Sequence, residues 1–295
     1  MWLLLNSTQI NITEVIIKTI NTLFENLFSS IDNNLYVLLD DITFINSDIL
    51  KDKFFKDIFG TSSQNGILLI ANSLIIGFTL YYLLRLLYSH FLSIEIEKPV
   101  QFIFKLIFLA IIMNCSFFLC EQCITLNSYL SSAIREVGEN IFKINISFSQ
   151  LIKTLNSTIN ITSSKFNLFS MDGLLRGFLS AELVNLVFTY SLRYILIKVF
   201  ILASPFAILS LLNKSTSWFF KTWLRSFISL LLIQSFVSLI LLITFSINSS
   251  PVTLLNKLLY IGALYAITKS NFYIKELIGG INTSFSSGFN FIKKK

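Results

Sequence analysis

A stripe of polar side chains within a long apolar stretch is the feature of the sequence best suited to chemistry. It consists of Glu182, Asn185, Thr189 and Arg193. Their spacing of three and four residues places them on one face of an α-helix. Because a charge at the centre of a bilayer costs about 2.5–3.5 kcal/mol, such residues face protein or water. The stripe predicts the lining of a water-filled path or a contact between subunits; alternatively, Glu182 and Lys198 reach opposite membrane interfaces and only Arg193 is buried.

Other residues suited to catalysis or metal binding are few. The chain has three Cys and one His, which are too few for a disulfide scaffold or a His-rich metal site. Cys115, Cys120 and Cys123 have the spacing of plant-type ferredoxins, but a fourth Cys is missing and the run is apolar, so we interpret them as packing residues. The nucleotide-binding motif Gly-x4-Gly-Lys-Ser/Thr and the motif His-Glu-x2-His are both absent. We therefore predict no catalytic residues, no cofactor and no metal.

The composition indicates what kind of element must position the stripe. Of the 295 residues, 54% are hydrophobic and 13% are charged, and the mean hydropathy is +0.72. Soluble domains carry about 25% charged residues. Apolar residues collect in long runs, which excludes disorder and favours an all-α polytopic membrane protein. The net charge of +7 would also suit a nucleic-acid partner, but basic residues in membrane proteins mainly set orientation.

Five segments are candidates for transmembrane helices, because each approaches the roughly 20 apolar residues that cross a ~30 Å hydrocarbon core. They are residues 67–88, 100–121, 174–212, 227–247 and 252–268. The third is ambiguous, since a single helix of that length would measure about 58 Å. It is either a surface helix that leads into one span or two closely spaced spans.

The distribution of Lys and Arg favours one span in that stretch, and hence five spans in total. One side of the membrane then receives eleven basic residues, whereas the opposite hairpin at 248–251 receives none. The eleven are Arg85, Lys98, Lys105, Lys214, Lys221, Arg225, Lys269, Lys275, Lys293, Lys294 and Lys295. Because basic residues accumulate in cytoplasmic loops, we expect the N-terminus outside and the C-terminus inside.

This topology divides the chain into five regions. We predict extracytoplasmic amphipathic helices in residues 1–65, two transmembrane helices in 66–121 and a partly helical extracytoplasmic loop in 122–173. Three further spans, joined in part by a basic turn with Pro and Trp, occupy 174–268. A basic cytoplasmic tail follows in 269–295, and we expect its end to rest on the inner leaflet.

Two amphipathic patterns predict helices outside the spans. Residues 48–59 have an apolar side rich in Phe, with Ser47 as an N-cap and Gly60 at the end. In the long loop, apolar residues recur at helical spacing over 130–141, although Gly138 weakens a helix there.

One segment carries a resemblance to a known family. Residues 203–236 read ASPFAILSLLNKSTSWFFKTWLRSFISLLLIQSF, in which a small-Pro-Phe-Ala turn is followed by aromatic and basic residues and an apolar span with a Gln inside it. Over residues 66–280 the chain also has two spans, a long loop, a basic turn and further spans in that order, with the segment ALYAITKSNFYIKELIGG near the end. The chain resembles the TrbL family, the VirB-six-like polytopic inner-membrane subunits of conjugative type IV secretion systems.

The resemblance implies a non-enzymatic subunit of the bacterial cytoplasmic membrane that contributes to a DNA translocation path or its assembly. The implied partners are other secretion subunits, including secretion ATPases, and membrane lipids; a homo-oligomer and transient contact with translocated DNA are compatible with it. It also assigns Pro205, Trp218, Trp223 and Arg225 to the cytoplasmic turn. The alternative is a stand-alone transporter or ABC-type permease, although the chain has no convincing internal repeat. A membrane enzyme acting on lipid is disfavoured by the missing acid/base cluster.

Overall fold

The fold is all-helical over the residues that a computed structural model describes. These are residues 33–61, 65–92, 97–158, 171–247 and 254–279, together with Thr19. No strand occurs among them, so the predicted all-α class is confirmed for this part of the chain. The predicted helices before residue 33 and the tail beyond 279 lie outside the described residues.

Nine α-helices and two short 3-10 helices make up the described part. The first are α1 (Asn33–Thr43), a 3-10 helix (Ser47–Leu50), α2 (Lys53–Phe59), α3 (Ile67–Leu92) and α4 (Pro99–Asn114). They are followed by α5 (Ser116–Phe142), α6 (Phe148–Thr158), α7 (Met171–Leu209), a 3-10 helix (Ser210–Leu212), α8 (Ser217–Ser246) and α9 (Leu254–Ile278).

The predicted helix over 48–59 is divided into two pieces. Asn46 caps the 3-10 helix and Asp52 caps α2, each through a side-chain oxygen that accepts a backbone N–H. A second capping residue in mid-segment starts a new helix, which explains the division. Gly60 ends α2 with a left-handed φ of 99°, as the sequence predicts.

By length and composition, three helices are able to cross a membrane: α3, the stretch Gly177–Leu212 and α8. A fourth is added if α4 and α5, which meet at Cys115 with a bend of 56°, count as one span. The described part therefore has three or four candidate spans rather than five. α9 is not among them; its apolar run is bounded by Asn256 and Lys257 on one side and by Lys269 on the other. Residues 174–209 lie in one continuous helix, which excludes a turn within that stretch.

A bundle of α5, α7, α8 and α9 forms the main core. Its buried apolar residues include Leu186 and Ile197 of α7, Leu241 of α8 and Leu264 of α9. α5 begins before the predicted extracytoplasmic loop and includes its first 21 residues, so these residues belong to the bundle. A second apolar cluster, which includes Met113, attaches α3 and α4 to the end of α7.

Candidate functional site

Arg193 lies at the centre of the candidate site. Its side chain is only 1% exposed. Nε donates to the Leu230 carbonyl at 2.7 Å and Nη1 donates to the Thr43 carbonyl at 2.8 Å. Nη2 lies 3.5 Å from the Leu231 carbonyl, which it approaches as a weaker donor. The prediction that Arg193 faces protein or water is confirmed, and it faces protein.

The bond to Thr43 is favourable for two reasons. Thr43 is the last residue of α1, so its carbonyl is one of those that lack a partner within the helix. The C-terminal end of a helix also carries the negative end of the helix dipole, which attracts a cation. Arg193 of α7 thereby attaches the end of α1 to the interior of α8.

The other residues of the polar stripe are less well satisfied. Thr189 is buried, and Glu182 and Asn185 are half-buried. The Thr189 hydroxyl and Glu182 Oε2 have no hydrogen-bond partner among the described residues. Buried oxygens of this kind normally bind water or another chain. At one end of the stripe, the hydrogen-bonding groups of Arg193 have partners. At the other end, Thr189 and Glu182 retain oxygens that can accept further hydrogen bonds.

Tyr190 extends the site to α9. Its hydroxyl donates to the Ile267 carbonyl at 3.2 Å and lies 3.1 Å from Ser270 Oγ. The ring is buried and meets Phe148 edge-on, with the ring centroids 6.4 Å apart. Sequence reasoning missed Tyr190, although a Tyr beside the stripe in an apolar helix was a usable signal, because a buried hydroxyl needs a partner.

Asp40 attaches α1 to α6. Oδ1 accepts the Phe148 N–H at 2.7 Å, and Oδ2 accepts from the Ser149 hydroxyl at 2.9 Å and the Ser149 N–H at 3.2 Å. Asp40 therefore caps the N-terminus of a helix that begins more than 100 residues later in the chain. Burial raises the pKa of the Asp40 carboxyl above its usual value, while these hydrogen bonds and the charge of Arg135 oppose that rise.

A polar seam joins α5 to α8. Ser131 and Ser238 share a hydrogen bond of 2.7 Å. One turn earlier on both helices, Asn127 accepts from Ser235 at 3.1 Å and approaches Gln234 at 3.5 Å. These pairs advance together along both helices, so α5 and α8 run parallel.

The residues assigned to the basic turn do not form one site. The Trp223 Nε1–H donates to the Phe200 carbonyl at 2.8 Å, and its ring stacks on Phe227. Pro205 is also buried, and α7 continues to Leu209 instead of ending there. Trp218 and Arg225, in contrast, are exposed.

The cysteines form no disulfide in the described part of the chain: Cys120 is buried, and Cys115 and Cys123 are exposed. No group of three His, Cys, Asp or Glu side chains is close enough to hold a metal within the described ranges. Comparison with protein-family models, curated proteins and solved structures finds no match to this chain.

Proposed function

We propose that the chain is a non-enzymatic cytoplasmic-membrane subunit of a conjugative type IV secretion complex, where it contributes to the DNA translocation path or to its assembly. The resemblance of residues 203–236 to the TrbL family suggests this system. The observation that carries a subunit role is that Arg193 holds three helices of the chain together through hydrogen bonds to backbone carbonyls.

Arg193 is a buried charged residue of α7, and it is bonded to backbone carbonyls of the same chain. A side chain held in this way stabilises the helix assembly and is not free to bind a passing solute. Glu182 Oε2 and the Thr189 hydroxyl, which have no hydrogen-bond partner among the described residues, suit a polar surface that a neighbouring subunit completes. This favours a subunit of a larger complex over a stand-alone transporter or permease.

The outer surface of α3 supports the same proposal. Only 11% of its candidate span is buried within the chain, against 61% for α8. Large apolar residues such as Ile76, Leu80 and Leu87 are exposed along it. In a membrane complex, such a face is covered by lipid or by the helices of neighbouring subunits.

For the orientation, we propose that the end of the bundle at the α7–α8 turn faces the cytoplasm, with the N-terminus outside and the C-terminus inside. This arrangement requires that α4 and α5 together form one span and that α9, which is less apolar than the candidate spans, crosses as a fifth. Lys105 donates to the Leu212 carbonyl at this end, and Arg85 and Lys214 line one cleft there. This clustering of basic residues from separate helices agrees with the charge rule for cytoplasmic faces.

The test is a mating experiment in a host that carries the gene on a transferable element. Deletion should reduce transfer of a marked element to background, and expression of the intact chain from a second locus should restore it. Arg193→Leu should insert into the membrane and fail to restore transfer, whereas the matched change Lys221→Leu at an exposed position should restore it. Undiminished transfer by the deletion strain would overturn the proposal, and a defect in solute uptake alone would favour the transporter.

A further inference from the structure

A cleft of about 490 Å³ lies between the end of α3, the start of α4 and the turn that joins α7 to α8. Its polar wall includes Arg85, Glu97 and Lys214, and its aromatic wall includes Phe78 and Tyr82. Three segments, one of them more than 100 residues from the other two in the sequence, thus build one concave surface at one end of a candidate span.

The aromatic side of the cleft is held in place by specific contacts. The Tyr82 hydroxyl donates to the Glu97 carbonyl at 2.7 Å, and the Tyr82 ring stacks on Phe102 with 3.8 Å between the centroids. Lys105 donates to the Leu212 carbonyl at 3.0 Å, which ties α4 to the turn. These contacts within the chain hold the walls of the cleft in place.

The described lining of the cleft carries more positive than negative charge. The Glu97 carboxylate lies 3.7 Å from Lys105 Nζ, so its charge is largely balanced by a residue beside the cleft. Neither Arg85 nor Lys214 forms an ion pair with any other residue in the described ranges. Two cations without an ion-pair partner among the described residues, placed at a concave site, favour a ligand that carries a phosphate or another strong anion.

Two smaller clefts of about 330 and 280 Å³ continue from the first along α3. All three share Phe78, and the smaller two also share Leu74. Their walls are mainly apolar, with Phe206 and Leu209 on one side. At Gly77 a Cβ atom would meet nothing within 4 Å, so the groove is open there.

We propose that this composite cleft binds one anionic phospholipid. The phosphate lies between Arg85 and Lys214, and an acyl chain follows the apolar groove past Gly77 and Leu74. A soluble anion would use only the polar end, whereas an amphiphile uses both ends. α3 is itself a candidate span, so the groove runs along a surface that lipid chains can reach. This inference does not depend on the proposed role in secretion.

The test uses the full chain purified in neutral detergent and titrated with phosphatidylglycerol or phosphatidylcholine, with bound lipid counted by native mass spectrometry. The charge variant is Arg85→Gln with Lys214→Gln. Its matched control is Lys53→Gln with Lys221→Gln, which removes the same charge from two exposed positions outside the cleft. The groove variant is Gly77→Phe, which fills the groove without changing any charge.

We expect the intact chain and the control to bind phosphatidylglycerol in preference to phosphatidylcholine. The charge variant should bind phosphatidylglycerol about 30-fold more weakly, which corresponds to about 1 kcal/mol for each basic side chain. The groove variant should also lose binding. Equal losses in the charge variant and the control would overturn the proposal, as would unchanged binding by the groove variant. Displacement of the lipid by inorganic phosphate at equal concentration would instead assign the site to a soluble anion.

Discussion

Replacement of Arg193 by Met should release the end of α1 from the bundle while the bundle itself remains folded. Of the two short bonds that Arg193 donates, only the 2.8 Å bond to the Thr43 carbonyl holds α1. A hydrogen bond from a charged donor contributes about 1.5–3 kcal/mol, and polar contacts between membrane helices average about 0.6 kcal/mol. Met also removes the cost of burying a cation, which offsets part of the loss in the bundle. We therefore expect α1 to lose about 2 kcal/mol of docking free energy, which corresponds to about 30-fold more frequent opening.

The opening is measured by the rate at which a buried cysteine is modified. Leu39 of α1 is fully buried, so Leu39→Cys, in a chain whose three native cysteines are replaced by Ala, reports on the docking of α1. In isolated membranes a maleimide should label this cysteine about 30-fold faster when Arg193 is Met, because labelling follows the open population. Arg193→Lys should be intermediate, since Lys keeps the charge and loses the planar fork.

The control is Lys221→Met, which makes the same change of residue type at an exposed position of α8. It should leave the labelling rate unchanged. The reasoning fails if Arg193→Met labels at the rate of the intact chain, or if both Met variants accelerate labelling equally.

Three further outcomes are expected from the melting temperature of the chain in detergent. Burial raises the pKa of Asp40, so the stability that Asp40 contributes is fully present below its ordinary pKa of 3.8 and is lost as the pH rises through the folded-state pKa. Over that pH window, the melting temperature of the intact chain should therefore fall relative to that of Asp40→Asn. Melting temperatures of the two chains that change in parallel would contradict this prediction. Gly138→Ala should destabilise the fold by about 1–3 kcal/mol, because the new Cβ would lie 2.6 Å from a Leu side chain of α8. Gly262→Ala, whose Cβ would meet nothing within 4 Å, should stabilise the fold by up to about 1 kcal/mol. Changes in stability of the same sign for both variants would refute this prediction. Trp223→Phe should lose about 1 kcal/mol with its hydrogen bond to α7, and Trp218→Phe, at an exposed ring, should be neutral.

Local pattern in the sequence was sufficient to predict the helical class and that Arg193 faces protein or water. Helical spacing and hydropathy are properties of neighbouring residues, so one sequence contains them in full. The partners of Arg193 were not predictable in this way. Thr43 is 150 residues away, and the Asp40 cap of α6 spans 108 residues. Many other polar residues of the chain are of the same types and have similar local spacing, so nothing in the sequence identified these residues as partners.

The polar seam also explains why the sequence predicted a partly helical loop from residue 122 and not the continuous bundle helix α5. α5 has polar residues such as Asn127 and Ser131 on the face that packs against α8. Hydropathy scores these residues as solvent-facing, although both are buried. A helix that packs through a polar face therefore resembles an external loop when only its composition is considered.

Polar contacts of this kind determine which register the helices adopt. In an apolar environment, packed Leu and Ile side chains distinguish poorly between one register and the next. The contacts of α7 with α8 through Phe200 and Arg193 lie seven residues apart on α7, and their partners Trp223 and Leu230 lie seven apart on α8. A slip of one helical turn, about 5.4 Å, would move Arg193 Nε and Trp223 Nε1 away from these carbonyls together, and a buried donor left without an acceptor costs about 1–3 kcal/mol. Apolar substitutions along these helices should therefore change stability at constant register, and the few buried polar residues are the positions at which the sequence specifies the assembly.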